Sequence, residues 1–177
     1  MKLSLTILEE QWNLLYASAG SSMNYYQKSH SFYRSVRFLS PQIQELQKET
    51  LYILSSPTEN LNHLIQTAEP SSALLCILPS LESSLYDTYH FSSEIPLDYA
   101  SVTGCVAEEA LNRILLIYEK YDDYDARFLQ ALSESSPLQK LLDILCELIG
   151  NPSYIADRNF RALAIDHNPD LPFYSIN

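Results

Sequence analysis

The six residues Ala73-Leu74-Leu75-Cys76-Ile77-Leu78 are apolar at every position. A half-exposed strand alternates apolar and polar side chains because its two faces meet different surroundings, whereas an unbroken apolar run is typical of a strand that is buried on both faces. Such strands lie inside parallel sheets that are covered by helices. The stretch therefore predicts a central parallel strand and an α/β (mixed α+β) fold.

The residues before this run predict the rest of a crossover unit. Leu51-Tyr52-Ile53-Leu54 is a short apolar run that predicts a second strand. Asn60-Leu61-Asn62-His63-Leu64-Ile65 predicts a short helix, capped by Thr58 or Asn60 and stopped before Pro70. Strand, helix and strand in this order indicate a right-handed crossover between parallel strands.

Further elements are predicted on both sides of this unit. Strand-forming residues are concentrated from Ser31 to Leu39, and Leu85, Tyr86, Tyr89 and Phe91 indicate another strand before the long helix. A first helix is predicted near the N-terminus, because apolar residues recur there at three- and four-residue spacing. They are Leu5, Leu8, Trp12, Leu15 and Tyr16. We expect this helix to cover a core.

A long amphipathic helix is predicted after Gly104, from about Val106 to Leu132. Its apolar residues follow alternating four- and three-residue steps, interrupted only at Asp125, and we call this set the heptad seam. The heptad seam consists of Ala107, Leu111, Ile114, Tyr118, Tyr121, Phe128 and Leu132. Its length and spacing favour a dimer interface. The same pattern also fits a helix that packs on its own domain, and the sequence leaves both interpretations open.

A second helix and a hairpin are predicted after the long helix. Ser136 can cap the helix, Pro137 fits its first position, Gln139 completes a capping box and Gly150 ends it. The segment from Tyr154 to Ile165 contains two alternating runs that flank a polar turn, which is typical of a β-hairpin.

The composition limits the classes of partner. Lysine and arginine total 11 against 22 aspartates and glutamates, so the net charge of −11 argues against direct binding of nucleic acid by this segment. No apolar run reaches the roughly 20 residues of a membrane span, and no signal-peptide core is present, so we expect a cytoplasmic protein without membrane contact. The cysteines Cys76, Cys105 and Cys146 are far apart and are predicted to be structural thiols in a reducing compartment.

No catalytic or metal-binding motif stands out. The histidines His30, His63, His90 and His167 are isolated, so metal-ligand spacing is absent, and three scattered glycines cannot form a phosphate-binding loop. The run Asp122-Asp123-Tyr124-Asp125 lacks the glycine and the distal glutamate of a calcium loop and is interpreted as a solvated acidic face. We therefore expect that the chain is not an enzyme and binds no cofactor and no metal. The sequence identifies no ligand-binding residues.

Three stretches in the second half carry a resemblance to a known family. They are Glu108–Ile114 continued by Tyr121–Tyr124, then Leu138–Ile144, then Gly150–Asp157 with Phe160–Ala164. Together they resemble the interdomain region of PucR/CdaR-type (purine catabolism regulator-like) bacterial transcription regulators, over about residues 105–166. The Gly-Asn-Pro step followed by the hairpin is the most specific part.

The resemblance implies a three-part organisation. Residues 1–104 would be a small N-terminal α/β regulatory domain, residues 105–135 a long connector and dimerisation helix, and residues 136–177 the incomplete beginning of a GAF/PAS-like sensor domain. In that family, a helix-turn-helix at the far C-terminus binds DNA. No such motif is present here, so we expect an N-terminal fragment or a truncated relative.

Two functional hypotheses follow. The first is a signal-receiving and dimerising region of a transcription regulator, which forms a homodimer and responds to an unknown small-molecule effector. The alternative is a protein-protein interaction module without a small-molecule ligand.

Overall fold

The computed structural model describes residues 2–26, 31–55, 60–68, 71–78, 97–134 and 137–165. The chain divides into two units, Met1–Glu119 and Lys120–Asn177. This division falls inside the long helix, whereas the predicted domain limits at residues 104 and 135 lie just outside the two ends of that helix.

The first unit is built on a five-stranded sheet. Its elements are, in chain order, α1 (Leu5–Tyr16), a 3-10 turn (Ala17–Ala19), β1 (Ser22–Tyr26), β2 (Ser35–Phe38), β3 (Thr50–Leu54), α2 (Leu61–Thr67), β4 (Ala73–Ile77), β5 (Asp98–Thr103) and the first part of α3 (Ala107–Leu132). The strand order is β1-β5-β4-β3-β2. Strands β2 to β5 are parallel, and β1 joins β5 in antiparallel orientation. The predicted mixed α/β fold class is confirmed.

Strand β4 is the central strand, as its apolar sequence predicts. It pairs in parallel with β3 on one side and with β5 on the other. Its residues from Ala73 to Cys76 are buried. The predicted strand, helix and strand are present as β3, α2 and β4, so the two strands that flank α2 are parallel neighbours.

Helix α2 covers one face of the sheet. Leu61, Leu64 and Ile65 of this helix are buried in a cluster with Tyr52 and Leu54 of β3. The cluster continues across the sheet through Leu74, Cys76 and Tyr99. Alternate strand residues point to the same face, so these side chains form one apolar layer.

The opposite face of the sheet is also buried. Leu51, Ile53, Leu75 and Val102 alternate with the residues above and are at most 1% exposed. Helix α1 contributes three buried apolar side chains, Leu5, Leu8 and Trp12. Its first turn is capped by the Ser4 hydroxyl, which accepts a hydrogen bond from the Ile7 N–H at 3.3 Å. Leu15, which the pattern placed on the same face, is 45% exposed.

Two strands of the sheet, β1 and β5, were not predicted, and one predicted strand cannot be compared with the structure. Strand β5 contains Asp98, Ser101 and Thr103, which are polar and nevertheless buried, so the apolar pattern of a central strand is missing. Strand β1 lies at the sheet edge and is half-exposed. The strand predicted from Leu85 to Phe91 lies outside the described residues.

The second unit contains a helical pair and a hairpin. Its elements are the second part of α3, then α4 (Pro137–Ile149), β6 (Tyr154–Ala156) and β7 (Ala162–Ile165). Helix α4 packs on α3 through Ile144, Leu141 and Leu148, and on the hairpin through Leu142 and Cys146. Strands β6 and β7 are antiparallel, which confirms the predicted hairpin. The predicted cap of α4, Ser136, lies outside the described residues.

Substituting Gly104 should destabilise the first unit more than substituting Gly20. Both glycines have φ in the left-handed region, at +73° and +75°, where an L-residue costs about 1–2 kcal/mol. A Cβ at Gly104 would clash with the Gly20 carbonyl oxygen, whereas a Cβ at Gly20 would meet nothing within 4 Å. We expect Gly20→Ala to lower the free energy of unfolding by about 1–2 kcal/mol and Gly104→Ala by about 3–4 kcal/mol.

Urea unfolding followed by tryptophan fluorescence measures this difference. Trp12 is the single tryptophan of the chain and is buried in the first unit, so its emission reports that unit alone. Equal midpoints for the two alanine variants would show that the backbone approach at Gly104 is unimportant.

Candidate functional site along the long helix

Helix α3 runs for 26 residues without a glycine or proline. Glu108 and Glu109 in its first turn suit the positive end of the helix dipole. In the first unit, the heptad seam residues Ala107, Ile114 and Tyr118 are buried, and Leu111 is half-buried. These residues therefore pack within the first unit, which is one of the two interpretations that the sequence left open.

Arg113 lies between two aromatic rings of α1. Its guanidinium carbon is 4.3 Å from the centre of the Tyr16 ring and 5.4 Å from the centre of the Trp12 ring. Its Nη2 group also donates to the Glu109 carboxylate, one helical turn earlier. The Arg113 side chain is only 12% exposed. The contact attaches α3 to α1 through a desolvated cation–π interaction, which is the setting in which such interactions are strongest.

One atom of this arrangement has no hydrogen bond. Within the described ranges, Nη1 of Arg113 is the one buried side-chain nitrogen or oxygen atom without a partner. Leaving a buried donor unpaired costs free energy, so Arg113 is held here against a local penalty.

Cys105 precedes the same helix and is not an activated thiol. Burial raises the pKa of the Cys105 thiol, although a hydrogen bond to Ser21 and the charge of Arg113 act in the opposite direction. Burial also raises the pKa of Cys76 in the core. A raised pKa lowers the fraction of thiolate at neutral pH, so neither cysteine is chemically poised as a nucleophile.

Tyr33 connects α3 to the sheet. The Tyr118 hydroxyl donates to the Tyr33 carbonyl oxygen at 2.8 Å, and the Tyr33 hydroxyl donates to the Asp98 carboxylate at 2.7 Å. The backbone of Tyr33 also exchanges two hydrogen bonds with Leu3. All three side chains of the chain Tyr118–Tyr33–Asp98 are buried. Hydrogen bonds to a charged group in a buried site are among the stronger ones, so this network fixes Tyr118 on the sheet.

The remaining heptad seam residues, Tyr121, Phe128 and Leu132, lie in the second unit. Tyr121 is buried and its ring is 6.4 Å from that of Tyr124, in an edge-to-face arrangement. Phe128 is half-buried against the cluster that α3 forms with α4. Leu132 is 59% exposed, so it is the heptad seam residue that the chain itself covers least.

Arg127 and Glu147 join α3 to α4. The guanidinium donates two hydrogen bonds to the carboxylate, at 2.9 and 2.6 Å, in the bidentate geometry that suits this pair. The Tyr124 hydroxyl donates to the same carboxylate at 3.2 Å. The hydrogen bonds from Arg127 lower the pKa of Glu147, whereas burial and the charge of Glu147 raise the pKa of Tyr124.

A groove of about 320 Å³ lies beside this ion pair. It is lined by Arg127, Gln130, Ala131, Glu134, Lys140, Asp143, Ile144 and Glu147. Lys140 forms an ion pair with Glu134, and Arg127 with Glu147, so the charges of the groove largely neutralise one another. A ligand would have to break these pairs, which makes the groove a structural feature of the helical pair.

Among the residues that the structure describes, those considered for chemistry form no cluster. His63 is exposed on α2, and the other histidines lie outside the described residues. Among the described residues, no group of three or more metal-ligating side chains is found. Asp122, Asp123 and Asp125 are exposed on α3, as predicted for a solvated acidic face. No helix in the described ranges has the length and apolar character needed to cross a bilayer.

Sequence reasoning missed the polar residues that hold α3 in place. Glu109 and Arg113 stand four residues apart on a predicted helix, and this spacing is a signal for an ion pair. By contrast, Asp98 and Tyr33 are 65 residues apart, and no local pattern connects them.

Comparisons of the chain with protein-family models, with curated proteins and with solved structures found no match.

Removing the Tyr33 hydroxyl should destabilise the first unit more than removing the Tyr52 hydroxyl. Tyr33→Phe leaves the buried Asp98 carboxylate one donor short, and hydrogen bonds to charged groups contribute about 1.5–3 kcal/mol. Tyr52→Phe deletes a hydroxyl that accepts from the Gln47 N–H, a neutral hydrogen bond worth about 1 kcal/mol. Urea unfolding followed by Trp12 emission compares the two variants, and a larger loss for Tyr52→Phe would contradict the role given to Asp98.

The contribution of Glu147 to stability should depend on pH. Its folded-state pKa is lowered below the usual value of 4.5, so its contribution is complete above that value and is lost as the pH falls through the folded pKa. The side chain is 54% exposed, so solvent screening limits the pair to about 0.5 kcal/mol.

Thermal unfolding of Glu147→Gln measures this dependence. At pH 7, we expect a melting temperature about 1–2 °C below that of the wild type, and this difference should shrink as the pH falls below 4.5. A difference that stays the same size at acidic pH would show that the carboxylate charge is not responsible.

Proposed function

We propose that this chain is the signal-receiving and dimerising region of a PucR/CdaR-like transcription regulator. In such a regulator, DNA binding belongs to a separate helix-turn-helix. The first unit would receive a signal, from a small-molecule effector whose identity is open, and α3 would pass it to the second unit. The proposed role is regulatory and involves no catalysis.

The observation that carries this proposal is that one uninterrupted helix supplies core residues to both units. Ile114 and Tyr118 are buried in the first unit, and Tyr124 and Ala131 belong to the core of the second. Tyr118 and Tyr124 are separated by less than two helical turns. An α-helix with intact hydrogen bonds is a stiff element. A movement of α3 at Tyr118 would therefore be transmitted along the helix, because no flexible linker follows Tyr118.

The anchoring of α3 in the first unit also supports a signalling role. Tyr118 is connected through Tyr33 to Asp98 on β5, and Arg113 is connected to α1. A change in the position of Asp98 would therefore alter the position of Tyr118 on α3 through the hydrogen bonds of Tyr33.

The dimeric state is part of the proposal, but the heptad seam alone is an unsuitable interface in this conformation. Ala107, Ile114, Tyr118 and Tyr121 are buried within the chain. A second copy would therefore have to bind to exposed side chains.

The alternative, a protein-protein interaction module without a ligand, is favoured by one observation. The hairpin of the second unit exposes Tyr154 by 62% and Leu163 by 55% on the face opposite α4. Exposed apolar residues of this kind are typical of docking surfaces. In this alternative, the two units would not communicate along α3.

Hydrogen exchange separates the two functions. Tyr118→Phe removes the hydrogen bond to Tyr33, and we expect exchange of the α3 amides after Lys120 to become about fivefold faster if the signal passes along the helix. Tyr52→Phe is the matched control, because it removes a hydroxyl in the same unit that is not bonded to α3. Unchanged exchange after Lys120 in Tyr118→Phe would contradict the relay and favour the interaction module.

Light scattering tests the dimer. At high micromolar concentration, the full chain should have twice the monomer mass of 20.2 kDa. A monomer under these conditions would contradict the dimerising part of the proposal.

A further inference from the structure

The turn of the hairpin, Asp157–Arg161, is held rigidly by its first residue, and we call it the hairpin tip. The Asp157 carbonyl oxygen accepts from the Phe160 N–H at 3.0 Å, and the Asp157 N–H donates to the Arg161 carbonyl oxygen at 2.9 Å. The Asp157 carboxylate accepts two further backbone hydrogen bonds, from Asn159 at 2.8 Å and from Arg161 at 2.9 Å. Both of these bonds go to Oδ1, so one oxygen of the carboxylate is occupied by the turn itself.

Phe160 occupies an unfavourable place in the hairpin tip. Its φ is +61°, in the left-handed region that bulky side chains avoid, and its side chain is 90% exposed. Glycine or asparagine is the usual residue at this position of a three-residue hairpin loop. The ring thus contributes neither to the turn nor to the core of the second unit.

Two arginines flank the exposed ring. Arg158 and Arg161 are exposed, and neither has an ion-pair partner within the part of the chain that the structure describes. The hairpin tip thus presents one exposed aromatic side chain and two exposed arginines, while the Asp157 carboxylate is bound by backbone N–H groups of the turn.

The same unit carries a surface with the opposite chemistry. Asp122, Asp125, Leu129 and Leu132 follow one another at three- and four-residue steps on α3 and lie on one face of the helix. The two aspartates are exposed, and the two leucines are 70% and 59% exposed. We call these residues the acidic-leucine face.

We infer that the hairpin tip of one chain docks on the acidic-leucine face of a second copy, and that the two copies do so reciprocally about a twofold axis. The inference rests on the dimerisation included in the proposed function and assigns it to residues. Arg158 and Arg161 bind Asp122 and Asp125 of the partner subunit, and Phe160 packs on Leu129 of the partner subunit.

Three arguments favour a second copy as the occupant. The hairpin tip has two exposed arginines and the acidic-leucine face has two exposed aspartates, and both surfaces lie on the same unit, so two copies can present opposite charges to each other reciprocally. Their charges and apolar groups are complementary, which sets the register of an interface. Nucleic acid is disfavoured as an alternative occupant, because the chain carries a net charge of −11.

The contact between the hairpin tip and the acidic-leucine face would also have the composition of a binding hot spot. Aromatic and arginine side chains dominate the binding energy of protein interfaces, especially where both are removed from water together. Because Phe160 is 90% exposed, its ring gains most when a leucine surface covers it.

The experiment measures the mass of charge-swapped chains by light scattering. Arg158→Glu with Arg161→Glu, and separately Asp122→Lys with Asp125→Lys, should each give monomers through like-charge repulsion. An equimolar mixture of the two double variants should restore a dimer, because every tip then meets a face of opposite charge. Glu10→Lys with Glu45→Lys is the control for the aspartate pair, since it makes the same charge change as Asp122→Lys with Asp125→Lys at exposed residues of the first unit and should stay dimeric.

A fourth variant separates binding from folding. Phe160→Asn suits the left-handed backbone and should leave the hairpin folded, while the loss of the ring raises the dimer dissociation constant about 30-fold or more. Circular dichroism verifies the fold of each variant.

The outcomes distinguish this inference from the proposed function. A monomeric wild type would contradict both. A dimeric wild type whose charge-swapped variants stay dimeric, or whose two monomeric variants fail to recombine, would overturn the inference while leaving a dimer in place.

Discussion

The central strand β4 is closed to water on both faces, and much of the first unit depends on this constraint. Polar groups that enter such a sheet must find partners inside it, because an unpaired buried group costs free energy. Asp98 accepts from Tyr33, Thr50 pairs with Ser35, and the Ser21 hydroxyl donates to the Thr103 carbonyl. Each pair connects a residue just outside or at the rim of the sheet to a strand within it. Apolar burial thus determines which strands lie inside the sheet. The polar pairs determine which neighbouring segments are hydrogen-bonded to those strands.

The elements that could be predicted from the sequence are those with a strong local pattern. Strand β4, strand β3 and helices α1, α3 and α4 each combine an apolar period with a recognisable boundary. Strand β5 escaped prediction because three of its buried residues are polar, and their partners are distant in sequence. Strand β1 escaped because it is a half-exposed edge strand, in which the alternation is weak.

The candidate site was predicted as a set of residues but not as a set of contacts. A heptad repeat shows which side of a helix is apolar, and it contains no information on whether the surface that covers that side belongs to the same chain. For Ile114 and Tyr118, the cover is the first unit itself. The residues that attach α3, namely Arg113, Tyr33 and Arg127, do so through polar groups, and only the spacing of Glu109 and Arg113 could have indicated one of them.

The continuity of α3 also affects how easily a protease can cut the chain between its two units. A protease needs an extended segment in its active site, and exposed loops between domains are where cleavage ordinarily begins. Between Glu119 and Lys120 the backbone is helical, and Tyr118 and Tyr121 on either side are buried. Cleavage at this boundary therefore requires local unwinding of α3, so the junction between the two units lacks the exposed loop at which a protease ordinarily begins.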